Sequence, residues 1–287
     1  MLQVARLAPT LLGESRGLVA AFLHQTLNAD GGFQDRTGSS DLYYTAFGLE
    51  ALLALGEPAP PVTTSYLQTF GDGESLDFVH LACLARAWGS IRAPGMDPGT
   101  RESMLRRLAA FRSADGGFAA NPDASTGTAY ACFLALGAIE DLGVPVPDGP
   151  GLLRCLEGLR AADGGYANHP GLTEGSTPAT AAAVMVMHRL ESDPARDVSR
   201  WLLHRCHERG GFFASPRAPV PDLLSTATAL HALAALHADI GSLREPCLDF
   251  VDTLWTSTGG FYGSWADETL DCEYTYYGLL ALGHLSL

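Results

Sequence analysis

The sequence predicts an all-α protein, an α/α toroid (α/α barrel) in which six helical hairpins set an inner ring of helices inside an outer ring. Three observations carry this. A unit of Gly-Gly-aromatic, polar loop, capping residue and apolar run recurs along the chain, its first glycines at Gly31, Gly116, Gly164, Gly210 and Gly259. The steps between them are 85, 48, 46 and 49 residues, the first being a double period with a decayed copy at Gly71-Asp72-Gly73. A repeat of this length marks stacked supersecondary units. Within each unit two helical segments differ in pattern, one amphipathic and one apolar nearly all round.

The units fill residues 1–287 as a single domain, at about 14–56, 62–90, 100–143, 149–191, 194–238 and 242–287. The first helix of each is expected near 14–28, 62–70, 100–113, 150–161, 194–207 and 242–255, where Arg and Glu fall between apolar positions, as in GLLRCLEGLR. That pattern leaves one face solvated. The second helices, near 42–55, 76–89, 128–142, 178–190, 223–237 and 272–284, read TAFGLEALLAL or ATAAAVMVM. A helix without a polar face must be surrounded, which places these six inside. The glycine pairs fall where the first helix should stop and allow a left-handed exit. GEPAPPVT and GVPVPDGPG lie between hairpins and read as rigid turns.

Composition narrows the function. Hydrophobic residues are 47% and charged residues 17%, a globular balance with enough apolar material for a large core. The formal charge of -14 argues against nucleic acid and anionic membrane surfaces as partners, because both need a basic footprint. Every basic residue other than histidine is Arg, which removes lysine Schiff-base chemistry. The six Cys sit mostly in apolar helical stretches without a CxxC pair, so buried free thiols in a reducing compartment are expected. No signal peptide is apparent, and no apolar run reaches the roughly 18 residues of a membrane span. The chain is therefore read as cytoplasmic.

Because all six inner helices run the same way, their N-termini should gather at one mouth of the barrel. Asp41, Thr128, Ser176, Asp222 and Asp271 occupy equivalent positions there. All are good N-caps, and helix N-termini collected in this way favour an anion. Below the mouth, Tyr43, Tyr44, Phe47, Tyr130, Phe133, Tyr274, Tyr276 and Tyr277 are candidate lining. The Ala-rich inner helices of the fourth and fifth repeats leave room. An apolar tunnel with an anion-friendly mouth suits an amphiphile such as an isoprenoid diphosphate. Trp265 is expected over the mouth or along the edge of the ring. His80, His169, His204, His231, His237 and His284 show no ligand spacing and read as satisfied helical histidines.

The Gly-Gly-aromatic loop, the Asp, Ser or Thr about ten residues later, and the TAxxxLxALxxLG-like inner helix resemble the β subunits of protein prenyltransferases. More distantly they are similar to the barrel domains of squalene and oxidosqualene cyclases. The resemblance covers about residues 14–287. It implies an isoprenoid in the central cavity and, for the prenyltransferases, a helical partner subunit. Their zinc ligands map poorly: Asp222 matches the Asp, but Leu224 stands in place of the Cys and Tyr274 in place of the His. One carboxylate does not make a zinc site, which needs about four ligands. The diphosphate-gripping His maps to Ser176, and the basic pair before the zinc Asp to Pro216 and Pro219, with Arg217 close by. The cyclases protonate an alkene or epoxide from a DxDDTA motif. The nearest match here is Asp271-Cys272-Glu273-Tyr274-Thr275, with Glu273 in the proton donor's place and Asp271 beside it. Two such carboxyls can split their pKa values, one remaining an acid.

Three readings follow. The first is an isoprenoid-handling toroid of the prenyltransferase β-subunit type, holding a prenyl diphosphate through Asp41, Tyr44, Phe47, Tyr130, Ser176, Arg217, Tyr274, Tyr277 and Trp265. The second is a small type II terpene cyclase with Glu273 as general acid and Asp271 orienting it; Asp222 is a further catalytic candidate. The third is a non-catalytic toroid that binds a lipid or a protein. The sequence identifies no definite cofactor: the zinc ligands are missing, and Mg²⁺ on Asp271, Glu273, Asp222 and Glu268 is the metal it leaves open.

Overall fold

Two short helices open the chain, α1 (Leu2–Ala5) and α2 (Pro9–Leu12), and the hairpins follow. The structure is a computed structural model that describes residues 1–91, 96–146, 148–194 and 197–287. The outer helices are α3 (Arg16–Gln25), α5 (Pro61–Gln68), α7 (Pro98–Ala109), α9 (Gly149–Gly158), α11 (Val198–Leu203) and α13 (Arg244–Leu254). The inner helices are α4 (Leu42–Ala54), α6 (Phe78–Ile91), α8 (Ala129–Asp141), α10 (Thr177–Arg189), α12 (Leu223–Ala235) and α14 (Cys272–Leu285). Residues 195 and 196 of the expected helix at 194–207, and residue 147 of the GVPVPDGPG turn, lie outside the described residues.

Each inner helix packs on the next, and α14 packs on α4, so the ring is closed. The all-round apolar sequences are explained by this position: every residue of α14 except Tyr274 is buried. Each fully buried large apolar side chain contributes about 1.5–3 kcal/mol, and loop aromatics such as Phe33, Phe118, Phe212 and Phe261 join the inner helices in that core.

Two small devices repeat around the ring. In the first, each glycine pair lets the next outer helix approach. Gly259 has φ +97°, and a Cβ there would meet the Leu18 carbonyl oxygen of α3 at 2.2 Å, while Gly260 lies against the Phe22 ring. The sixth repeat thus closes on the first through a backbone contact that only glycine permits. In the second, the Thr four residues after the cap ties the glycine loop to the inner helix. Thr45, Thr180 and Thr226 each accept the backbone N–H of the loop aromatic, Phe33, Tyr166 and Phe212, at 2.9 Å. Cys132 takes this place in the third repeat, its Sγ accepting the Phe118 N–H at 3.3 Å.

Two antiparallel ribbons lie in the loops, β1 (Phe33–Gln34) with β2 (Ser40–Asp41), and β3 (Tyr262–Ser264) with β4 (Asp267–Leu270). At the opposite end from these loops, α1 packs against α4 and α14, an arrangement the repeat pattern did not foretell. No described helix is long and apolar enough to cross a membrane.

Candidate functional site

The N-termini of the inner helices do gather at one end. The loop before α4 reaches α14 through Arg36, whose Nε donates to Asp271 Oδ2 at 3.0 Å. His80 of α6 bonds Asp41, the cap of α4, at 3.1 Å. The Thr177 hydroxyl of α10 donates to the Phe213 carbonyl in the loop before α12 at 2.6 Å. The opposite ends meet in the same order, with Arg86 on Glu50 and His231 on His284.

The capping residues behave as caps. Asp41 accepts the N–H groups of Tyr43 and Tyr44, Thr128 that of Ala131, Ser176 that of Ala179, Asp222 that of Ser225 and Asp271 that of Tyr274. The amide hydrogens expected to greet an anion are therefore partly spent on side chains of this chain, three of them carboxylates.

Beneath the mouth lies a cavity of about 220 Å³ lined on one side by Tyr43, Tyr130, Phe133 and Tyr277 and on the other by Pro178, Ala181, Ala182, Met185 and Leu224. The aromatic side comes from the first, third and sixth repeats. The aliphatic side comes from the fourth and fifth, where small residues had indicated room. Thr228 and His231 complete the fifth repeat's contribution, and Met1 lies at the floor. Met1 and Phe133 separate this lumen from a second, polar chamber of about 300 Å³ that includes Glu50, Arg86, Asp141 and Arg189.

Glu273 is the chemically distinctive group. It is 9% exposed, in the first turn of α14 and one turn above Tyr277 on the same helix face. The Tyr43 hydroxyl donates to Glu273 Oε1 at 2.6 Å. Burial pushes the Glu273 carboxyl up to about 7, with the Tyr43 bond pulling the other way and the Asp271 charge adding to the rise. It is thus a carboxylic acid that retains a substantial protonated fraction near neutrality. Asp271, 3% exposed, is also raised by burial, opposed by the Tyr274 N–H and Arg36. Arg36 ties Asp271 to the first repeat, reaches Asp267 at 3.4 Å and lies 5.3 Å from the centre of the Tyr274 ring.

The remaining expected site residues divide clearly. Tyr130 and Tyr277 line the lumen. Phe47 lies behind that lining, packed against Tyr43, Tyr276 and Tyr277 and over the Arg86 guanidinium at 4.6 Å. Tyr44 sits beside Tyr43, and its hydroxyl is pushed up to about 12 by burial and the Asp271 charge. Tyr274 faces Arg36 and Gly263, away from the lumen lining. Asp41 and Ser176 act as caps. Asp222 is raised by burial and takes the Ser225 hydroxyl at 2.8 Å.

Arg217 is 82% exposed and paired with Glu174, so it does not reach the lumen. Trp265 is outside as well: its Nε1 donates to Thr253 of α13 at 2.8 Å, and its ring meets His207 and Phe250. Among the described residues no three His, Cys, Asp or Glu side chains converge as metal ligands. Asp271, Glu273, Asp222 and Glu268 therefore do not form the Mg²⁺ cluster considered from sequence, Asp271 being taken by Arg36.

Sequence reasoning passed over Arg36, the Glu50–Arg86 pair and two histidine arrangements. His80 bridges Asp77 at 2.9 Å and Asp41; burial pulls its pKa down, but those bonds prevail and the net shift is upward. His231 and His284 meet at 2.9 Å. The Asp77–His80 pair is local, at i,i+3, but no local spacing signals His80–Asp41 or His231–His284, whose partners lie in different repeats.

The sequence profile of the prenyltransferase alpha-alpha toroid domain matches residues 12–80, 78–196 and 179–286, and the chain belongs to that family. Among solved structures it is similar to Candida albicans protein geranylgeranyltransferase-I complexed with GGPP, with TM-score 0.71 and 15% identity over 94% of this chain and 90% of that one. It is also similar to the type II terpene cyclase MstE from Scytonema in complex with geranylgeranyl dihydroxybenzoate, with TM-score 0.68 and 14% identity over 97% of each chain. The GH76A alpha-1,6-mannanase from Salegentibacter shares the fold at TM-score 0.65 and 13% identity, covering 95% of this chain and 98% of that one. Among curated proteins none matches the chain in sequence. A fold shared with a mannanase leaves function to the site.

Proposed function

We propose that this toroid takes an isoprenoid chain with an uncharged head into its lumen and initiates cyclisation by protonating a carbon–carbon double bond, the chemistry of a type II terpene cyclase. The observation that carries this is Glu273, a buried carboxyl held near pKa 7, bonded at 2.6 Å by a tyrosine that itself lines the cavity. A general acid works best with a pKa near the operating pH. The aromatic side of the lumen then serves the product of that step, because Tyr and Phe rings stabilise a cation through their faces.

A transferase role on a prenyl diphosphate is less well supported. Arg217 is solvent-exposed and paired, Arg36 is committed to Asp271, and the capping side chains already take amide hydrogens at the mouth. The isoprenoid class itself draws support from the geranylgeranyl ligands named for the two isoprenoid-handling relatives.

The test is incubation of the purified protein with squalene, geranylgeraniol and geranylgeranyl diphosphate, followed by mass spectrometry of the extract. Cyclic isomers of an uncharged substrate are expected from wild type. Loss of Glu273 as Glu273→Gln should lower their formation by about 10²–10⁴-fold, the usual contribution of a general acid. Equal product from both proteins would remove Glu273 from the role.

A further inference from the structure

An apolar lumen selects its ligand through the few hydrogen-bonding groups it leaves unpaired. The polar side chains in this wall are Tyr43, Tyr130, Thr228, His231 and Tyr277. Most are spent within the protein. The Tyr43 hydroxyl donates to Glu273, and the Thr228 hydroxyl donates to the Leu224 carbonyl of its own helix at 2.7 Å. His231 Nδ1 meets His284, and its Nε2 is sealed in protein. The hydroxyls of Tyr130 and Tyr277 bond to nothing among the described residues. We propose that these two phenols receive the oxygen of a neutral amphiphile, an alcohol or carbonyl at the head of a short prenyl chain. The lumen then prefers such a ligand to the bare hydrocarbon. This rests on the isoprenoid class proposed above but not on the acid step, since it requires no turnover.

Tyr277 differs from its neighbour Tyr276 in the respect that matters. Both lie on α14 with their rings covered, at 8% and 0% exposure. The Tyr276 hydroxyl is sealed and without a partner. The Tyr277 hydroxyl also lacks a partner, but it is not sealed, and its ring lines the cavity. A phenol withdrawn from bulk water without a protein acceptor costs stability, and an oxygen brought in by a ligand supplies the missing bond. Tyr130 stands nearer the opening, 40% exposed in the first turn of α8. Tyr277 feels the charge of both Tyr130 and Glu273, which places the two phenols in one neighbourhood. Burial raises both hydroxyls above their ordinary value of 10, so each keeps a proton to donate at neutral pH.

The head that fits is uncharged. The guanidinium groups nearest this wall are committed, Arg86 to Glu50 and Arg36 to Asp271. The Glu273 carboxyl adds negative charge near the same phenols as it ionises. An anionic head would therefore be buried with no free cation to offset it. The tail has a direction as well. Pro178, Ala181, Ala182 and Leu224 form an apolar wall opposite the phenols, and Met185 and His231 lie further along α10 and α12, away from the mouth. At about 220 Å³ the lumen is smaller than the roughly 300–1,000 Å³ of pockets for drug-sized ligands, which favours a short chain.

Equilibrium binding of geraniol and of the corresponding diene hydrocarbon, which lacks the hydroxyl, tests the site. Wild type is expected to bind geraniol at least roughly tenfold more tightly, the worth of one neutral hydrogen bond. Tyr277→Phe should lose most of that preference by weakening geraniol alone, with hydrocarbon affinity within about twofold of wild type. Tyr130→Phe should act in the same direction. A merely structural role for either hydroxyl would weaken both ligands together. Equal binding of alcohol and hydrocarbon by wild type, or a geraniol affinity unmoved in the double Phe variant, overturns the site and leaves the isoprenoid reading in place. Binding of neither compound removes both. Thermal unfolding gives a check without ligand: Tyr277→Phe should melt at or above the wild-type temperature. A fall beyond roughly 2–4 °C, the equivalent of one structural hydrogen bond, reveals an internal partner for that hydroxyl and overturns the assignment.

Discussion

Replacement of Glu273 by Gln tests the electrostatics of the lumen without recourse to any substrate. In the unfolded chain this carboxyl titrates at its ordinary value of 4.5, and burial raises it to about 7 in the fold. Each pKa unit corresponds to 1.36 kcal/mol, so the ionised form carries a penalty of roughly 3 kcal/mol in the native state. The sign follows from proton binding. Below pH 4.5 both states hold the proton and there is no penalty. Between 4.5 and about 7 the folded state binds more protons than the unfolded state, and stability falls as pH rises. Above about 7 the full penalty is present. Glutamine keeps the shape and the acceptor for the Tyr43 hydroxyl but does not ionise. Urea denaturation of wild type and Glu273→Gln at pH 4 and pH 8 should therefore show the variant gaining roughly 3 kcal/mol relative to wild type across that interval. Contributions from Asp141, Asp222 and Asp271, also raised, largely cancel in the comparison. If the two proteins lose stability in parallel, Glu273 is not a buried acid and the proposed chemistry loses its donor.

Tyr43→Phe deletes the one bond that lowers the Glu273 pKa, so the descending limb of the pH–rate profile, expected near 7 in wild type, should move to higher pH. A shift toward lower pH would contradict the assigned direction of that bond. Gly259→Ala should cost about 2–4 kcal/mol in thermal or urea unfolding, since it combines positive φ with a clash at the ring closure. Gly38→Ala is its control, with φ +89° but nothing within 4 Å, and should cost about 1 kcal/mol. Arg86→Leu strands the Glu50 carboxylate, 8% exposed and held at 2.6 Å by two nitrogens, and should cost about 3–5 kcal/mol. The double replacement Glu50→Met with Arg86→Leu should recover most of that loss, which a double-mutant cycle reads directly.

How much of this was legible in the sequence differs between scaffold and site. The ring could be read because the same physical demands recur in most of the units. A glycine pair must admit the next outer helix, a cap must start the inner helix, and a Thr one turn later must hold the loop. Repetition turns weak local signals into a period. The expected inner helix at 272–284 is found as Cys272–Leu285 for this reason. The α1 segment has no counterpart in the other repeats, so nothing in the period announced that it would pack under α4 and α14.

The site was legible only where it borrowed a scaffold position. Glu273 was reachable because it follows a capping Asp in a motif-like order. Its partner Tyr43 lies 230 residues away in sequence, Arg36 is 235 residues from Asp271, and His231 is 53 from His284. The first two distances are a consequence of closing a ring, which brings the first repeat against the last; the third is one repeat length, between neighbouring inner helices. Chemistry that depends on one repeat differing from its neighbours is invisible to a reading built on their sameness. Trp265 illustrates the converse. An aromatic in the last loop was expected over the mouth or along the edge of the ring, and the β3–β4 ribbon carries it outward onto α13 of the outer ring.

The capping residues link scaffold to chemistry more closely than their individual worth suggests. An uncapped crown of six helix N-termini would attract an anion, and this was the ground for expecting a diphosphate. Here the side chains of Asp41, Asp222 and Asp271 answer their own amide hydrogens, and each brings a carboxyl group to the mouth. The positive ends of the dipoles are then met from within the chain. A substrate bearing a diphosphate would have to approach those carboxylates, with the nearby Arg36 already paired to Asp271. With those ends answered from within, the crown offers a diphosphate little and suits an uncharged chain. Local helix capping, repeated around a closed ring, thereby takes up the positive helix ends that would otherwise draw an anion to the lumen.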